Sequence, residues 1–352
     1  MLRFVSIIAL TLVPSAGSVH AVLAASFDCT KAVTPFERAI CDNPELSAAD
    51  QRLAATYDTA VGGLSDLARG ALKTGQREWL SYAQRACTSD ARPLSAGTYD
   101  ERGISCLLEV FNNRSAALEQ SRMVEGRRFF PVARYEALPD PNEADNPDSW
   151  FPVARHELSW VELDDAEGFA QGFNDMMRKE GDVMAPASPE ESDPGADEGE
   201  ANSSDTRNTL FIHEVAGQSR ISIKAGTYWY GHGAAHGNWG QTYRHYLVEE
   251  ERLMEAGDLF AGAGWEKALQ DLALQAAEAE HGDNLMLDDP SYLTDVVADP
   301  ERWELSDPYA LIIQFQPYEI SPYSYGAPTV RVRWQDLEPY LAEGADQIRY
   351  GF

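Results

Sequence analysis

Beyond Cys106 the sequence has no cysteine, and basic residues are scarce throughout: 28 Lys and Arg stand against 57 Asp and Glu in 352 residues, a formal net charge of −29. The shortage of positive charge excludes a nucleic-acid partner and a polybasic membrane anchor, because both surfaces are anionic. A cationic partner is the electrostatic complement. Long apolar runs are also rare. The one from Phe4 to Val13 follows Arg3 and precedes small residues ending in Ala24 and Ala25, the pattern of a signal peptide over residues 1–25. Nothing else approaches the roughly 18 unbroken apolar residues of a membrane span. The expectation is an exported chain, periplasmic or secreted, with no membrane span after signal cleavage, in a compartment where disulfides persist.

Signatures of catalysis are missing as well. There is no H-E-x-x-H and no G-x-S-x-G. His232 and His236 are four apart and could pass for a zinc pair, which is the basis of a metal-dependent hydrolase reading. Gly231, Gly233, Gly237 and Gly240 oppose the helix that such a pair requires, so a glycine-shaped turn is expected there. Glu249, Glu250 and Glu251 read as a solvated turn. No catalytic residue, metal or cofactor is assigned.

What is present divides by composition. Thr34 to Glu37 forms a capping box with proline at the first helical position, so a short helix should run to about Cys41 and be broken by Pro44. Ser47 to Asp50 resembles a second start, followed by apolar residues at helical spacing from Leu53 to Leu64. Further helices are expected from about Leu67 to Cys87 and from Asp100 to Gln120. All four cysteines fall here, at 29, 41, 87 and 106. Three pairings exist. Cys29 with Cys41 and Cys87 with Cys106 is favoured, because the second pair lies where two antiparallel helices meet and the first is what remains. A zinc site of four thiolates competes, but the spacing has no C-x2-C knuckle.

Residues 136–205 hold 20 acidic and 3 basic residues, a net of −17. We expect an acidic linker at 122–149 and, inside a second domain at 150–342, a disordered acidic loop at 185–206. The alternation around Leu158, Trp160 and Leu163 suggests a strand, and Phe169, Phe173 and Met177 a helix. Thr209 to Val215 and Ser219 to Ala225 pair as strands, Gln241 to Val248 adds another, Trp265 to Glu280 is helical, and Tyr309 to Gln316 and Thr329 to Trp334 close the sheet. Asp336 to Leu341 reads as a short helix, and residues 343–352 as a C-terminal tail. The fold class is α+β: a stapled helical domain at 26–121, then a mixed α+β domain with a mainly antiparallel sheet.

Two resemblances follow from these residues. Phe27-Asp28-Cys29, Thr34, Glu37 to Cys41, Asn43 to Ser47, Asp50, Tyr57, Gln76, Trp79-Leu80, Arg85, Cys87, Cys106-Leu107 and Arg114 resemble the LprI-type lysozyme-inhibitor family over residues 26–120. That resemblance implies an exported helical module, some of whose members inhibit lysozyme. Gly233 to Gly237, Tyr243 to Tyr246, Asp258-Leu259-Phe260 and Phe315 to Tyr323 with Gly326 are similar to the C-terminal domain of the lysozyme-sensing anti-sigma factor RsiV. The chain has no transmembrane segment or sigma-binding part, so signalling is not implied. Together the two resemblances imply a binder of a cationic lysozyme or related glycan hydrolase that acts by blocking its cleft. The alternative is an envelope-homeostasis or cell-wall-associated protein with another cationic envelope partner. Tyr318, Tyr323 and Tyr325, set among Pro317, Pro322 and Pro328, are the candidate contact residues.

Overall fold

The structure is a computed structural model and describes residues 25–143, 146, 149–165, 168–185, 203–287 and 289–352. The leader at 1–25, apart from Ala25, lies outside the described residues, as does the core of the acidic loop, residues 186–202.

Four helices open the chain: α1 (Pro35–Asp42), α2 (Pro44–Val61), α3 (Asp66–Ala86) and α4 (Glu101–Leu118). Each begins in the same way. The side chains of Thr34, Asn43, Ser65 and Asp100 accept from the backbone N–H three residues on, at Glu37, Leu46, Ala68 and Gly103. Each cap is worth about 1 kcal/mol. As expected, the first helix stops just before Pro44, at Asp42, with Asn43 extended; Pro44 then also starts α2 at the first helical position, where its missing N–H costs nothing. The second helix therefore begins three residues before the Ser47 start expected from sequence. Disulfides join Cys29 to Cys41 and Cys87 to Cys106, and among the described residues no cysteine is free, so the four-thiolate zinc reading is withdrawn.

The expected linker at 122–149 needs correction. Its first half is β1 (Met123–Val124) and β2 (Arg127–Pro139); β2 pairs with β1 at Arg127 and Arg128 and, from Phe129 to Pro139, with the whole of β3 (Val153–Leu163). The acidic count of the region hid a strand whose own residues, from Phe129 to Tyr135, are largely apolar. β2 also completes the core of the helical module. Phe130, Ala137 and Val153 pack with Trp79, Tyr82 and Phe111, and the Tyr82 and Tyr135 rings stack 5.2 Å apart. Arg114, only 1% exposed, donates to Gln76 Oε1 (2.9 Å) and to the Tyr135 hydroxyl (3.2 Å).

From β3 the chain crosses through α5 (Gly168–Met184) to β4 (Ser204–Ala216), and this is the parallel pair of the main sheet. A parallel connection needs such a crossover. β5 (Arg220–Gly231), β6 (Asn238–Leu247) and β7 (Arg252–Leu253) extend the sheet in sequence order, all antiparallel. Ser204, Asp205 and Thr206, expected in the acidic loop, belong to β4. Phe169, Phe173 and Met177 of α5 pack on Leu158, Trp160, Leu210, Ile221 and Ile223.

The remaining chain builds a second layer. After α6 (Ala256–Leu259) and α7 (Trp265–His281), α8 (Leu293–Ala298) leads into a three-stranded sheet of β8 (Trp303–Glu304), β9 (Ala310–Gln314) and β10 (Thr329–Arg333), ordered β10-β9-β8. Fully buried Trp303 centres this core with Leu311, Ile313, Val330 and Leu269. α9 (Trp334–Leu337) follows. Residues 343–352 are not a tail: α10 (Ala345–Tyr350) packs back on the main sheet, with Arg220 Nε donating to the Ile348 carbonyl at 2.8 Å. Gly217, at φ +52°, makes this possible, because a Cβ there would sit 2.3 Å from the Gly351 carbonyl oxygen.

Candidate functional site: an aromatic ledge

The connection between β9 and β10 carries the three candidate tyrosines. Its sequence alternates anchors and displayed rings. Phe315 and Ile320 are buried in the core beneath, each burial contributing roughly 1.5 to 3 kcal/mol. Tyr318 lies between them and is 61% exposed, at φ +69°, a left-handed conformation that a tyrosine adopts only when its surroundings hold it. The holding contacts are polar. Arg302 clamps both carboxylate oxygens of Glu319 at 3.0 Å, and Glu319 Oε2 also accepts from the Gln316 backbone N–H at 2.7 Å. The Gln316 side chain bridges to the edge of β6, accepting from Gln241 N (2.9 Å) and donating to Gln241 O (2.7 Å).

The three tyrosines do not play one part. Tyr323 is half-buried: it donates to the Gly237 carbonyl at 2.5 Å and stacks on His236 at 4.1 Å. Its ring fixes the β9–β10 connection against the turn between β5 and β6. Tyr325 is 42% exposed and is held from the other side by His281 of α7, hydroxyl to Nδ1 at 3.0 Å. Tyr318 and Tyr323 have ring centroids 5.2 Å apart. Tyr318 and Tyr325 are thus the displayed rings and Tyr323 the brace. Trp239, 38% exposed, lies beside Gly326 and widens the ledge. Sequence reading passed over Trp239, because nothing local says that a strand tryptophan will be left uncovered.

The two histidines of the glycine-rich turn are separated in role. His236 belongs to the ledge. His232 is buried, its Nδ1 2.5 Å from Asp140 Oδ2 and its Nε2 3.3 Å from Asp205 Oδ1, with Phe151 stacked on the ring at 5.1 Å. Among the described residues no group of three or more His, Cys, Asp or Glu forms a candidate metal site. Glu249, Glu250 and Glu251 are exposed in the turn between β6 and β7.

Burial works against a charged His232, but the hydrogen bonds it donates to Asp205 and Asp140 outweigh it and raise the pKa above its usual value. A raised pKa in the folded state stabilises below the unfolded value, near 6.5, and that contribution fades as pH climbs through the folded value. We therefore expect wild type to melt above a His232→Gln variant near pH 6, with the gap narrowing as pH rises through the folded value. Thermal melts of both proteins across this range would test it; a gap that widens with pH would contradict the charged pairing.

A Ser–His pair also exists. Ser222 Oγ lies 2.8 Å from His245 Nδ1, and His245 Nε2 donates to the Trp303 carbonyl at 2.8 Å. Burial, with the Arg220 charge second, pushes His245 down to about 3, so the ring is neutral. Ser222 and His245 are both sealed in the interior, where no substrate reaches them, and their hydrogen bonds tie the main sheet to the second layer.

The fold and site define a two-part protein: a disulfide-stapled helical module completed by a sheet, and a second α+β layer that displays aromatic rings. Residues 29–118 match the family described as lysozyme inhibitor LprI, and residues 257–335 match the family described as a protein of unknown function, DUF3298. An uncharacterized protein of Rhizobium meliloti (strain 1021) is 31% identical over 107 residues, covering 26% of this chain and 77% of that one. Among solved structures, a DUF3298 family member from Bacteroides fragilis has 15% identity and a TM-score of 0.47, covering 64% of this chain and 96% of its own. A DUF3298 family protein from Pseudomonas aeruginosa PAO1 has 15% identity and a TM-score of 0.43, with coverages of 64% and 98%. No helix among the described residues is long and apolar enough to cross a membrane.

Proposed function

We propose that this chain is an exported lysozyme inhibitor, periplasmic or secreted, that binds a cationic lysozyme or related glycan hydrolase and blocks its substrate cleft. The observation that carries the reading is the match of residues 29–118 to the lysozyme inhibitor LprI family, in a module with both disulfides in place. The charge of −29 supports a basic partner through faster encounter. The similarity of the second part to the lysozyme-sensing domain of RsiV points the same way, and it directs attention to the ledge. Two displayed tyrosines on a braced, strained loop form a rigid apolar contact of the kind that dominates protein interfaces. Binding there hinders substrate without any chemical step. Pull-down against lysozymes of different types, followed by inhibition assays at about 150 mM salt, where surface attraction is screened within about 8 Å, tests the reading. Retention of one lysozyme with loss of its activity supports it, and capture of none at that salt contradicts it.

A further inference from the structure

A second surface lies beside the ledge. In β5 and β6, Tyr228 pairs with Trp239 and Trp229 with Asn238, so successive residues point to opposite faces of the sheet. On the Trp229 face, cross-strand rows run Thr206, Trp229, Asn238 and then Thr227, Gly240. Where α5 lies, the next row of Leu210, Ala225 and Thr242 is already partly covered by its core. Past Met184, where α5 ends, a groove of about 630 Å³ opens over this face, closed at its far side by Gln316, Pro317 and Tyr318.

Two properties of the groove set it apart from the rest of the molecule. First, in a chain with 57 carboxylates, none of the described residues lining it is Asp or Glu, and its one charged group is Arg302. A basic protein surface has no complement here. Second, its lining combines broad rings with neutral polar side chains. Trp229 is 44% exposed, and its six-membered ring lies across Gly231, where a Cβ would come within 2.7 Å of it. The glycine leaves room for the indole to lie close against the backbone. Beside it on the same face stand Asn238 and Thr227, with amide and hydroxyl groups suited to neutral donors and acceptors.

We infer that this groove binds a saccharide strand, with Trp229 as the platform for one pyranose ring. A sugar offers what the lining asks for: a flat face of C–H bonds that carry partial positive charge and meet the negative face of an indole, and a rim of neutral hydroxyl and N-acetyl groups for amide and hydroxyl partners. Arg302 is itself neutralised by its clamp on Glu319, so the described lining carries no unpaired charge and suits a neutral strand. The groove meets the ledge at Trp239 and Tyr318, but its platform residue Trp229 is not a ledge residue, so a change at Trp229 tests the groove apart from the ledge.

The test uses the full chain and tetra-N-acetylchitotetraose as the probe, with cellotetraose as a second arm, by calorimetry and ligand-observed NMR. Wild type should bind the acetylated probe, Trp229→Ala should weaken it by about tenfold or more, the loss of one ring stack, and Trp229→Phe should retain most of it. Inhibition or capture of lysozyme by Trp229→Ala should be unchanged. Equal binding of cellotetraose would assign the groove to neutral glucans at large and still support a saccharide site. No binding of either probe at millimolar concentration, or binding undiminished in a folded Trp229→Ala variant, overturns the proposal.

Discussion

Replacing Cys87 and Cys106 by serine should cost about 3 kcal/mol, the loop-closure value for a bridge spanning roughly 20 residues; the two positions are 19 apart in sequence. The bridge ties the end of α3 to the first turns of α4, and residues 87 to 100 between them contain no regular element. Without it the α3–α4 pair must be held by its capping and by the Trp79–Phe111 contact, ring centroids 5.0 Å apart. A loss of that size lowers the melting temperature of a helical module of this length by roughly 10 °C or more. The effect should spread to β2, because Phe130 and Ala137 belong to the same core, and should spare the core around Trp303, which is built from other residues. Hydrogen exchange on the double variant tests this directly: protection should fall over residues 35–139 and persist over 303–333. A uniform loss, or none, would contradict a disulfide that serves the helical module.

Alanine at Tyr318, Tyr323 and Tyr325 together should raise the dissociation rate of a lysozyme complex by about a hundredfold, two displaced contact rings at 1 to 2 kcal/mol each. Association should slow little, because encounter is set by the net charge and not by the rings. Single substitutions separate the roles given by the geometry. Tyr318→Ala and Tyr325→Ala remove displayed surface, whereas Tyr323→Ala removes the brace to Gly237 and His236 and should act by loosening the loop. A Tyr323→Phe variant keeps the stack on His236 and loses the hydroxyl bond, so it should recover part of the affinity. Surface plasmon resonance at several salt concentrations reads both rates. Salt should act mainly on association and the tyrosines on dissociation; equal dissociation rates for wild type and the triple variant would place the contact elsewhere.

Much of the helical module is legible in the sequence, because its determinants are local. The cap at Thr34 and apolar residues at helical spacing need no knowledge of distant residues. The Asn43 cap is less legible, because a proline that follows one helix reads as its breaker before it reads as the first residue of the next. β2 was hidden for a different reason: net charge summed over a window says nothing about which residues in it point inward, and Phe130, Ala137 and Tyr135 find their partners in helices earlier in the chain. The terminal helix was missed likewise, since Arg220 and Gly217 that receive it lie more than 120 residues away. For the site, the Tyr-Pro segment was visible as a sequence too rich in proline for a central strand. The division into displayed and bracing rings was not, because it depends on His236 and His281 arriving from two other elements. The groove over Trp229 depends on where α5 ends relative to β5, which is a property of packing alone.

The measurement that bears most directly on the central claim is inhibition of purified lysozymes of different types by the full chain at about 150 mM salt, where long-range attraction is largely screened, with the triple tyrosine variant in parallel. The account predicts stoichiometric inhibition of at least one enzyme by the wild-type protein and a right-shifted curve for the variant. Inhibition that vanishes at this salt, or that is the same for both proteins, would contradict it.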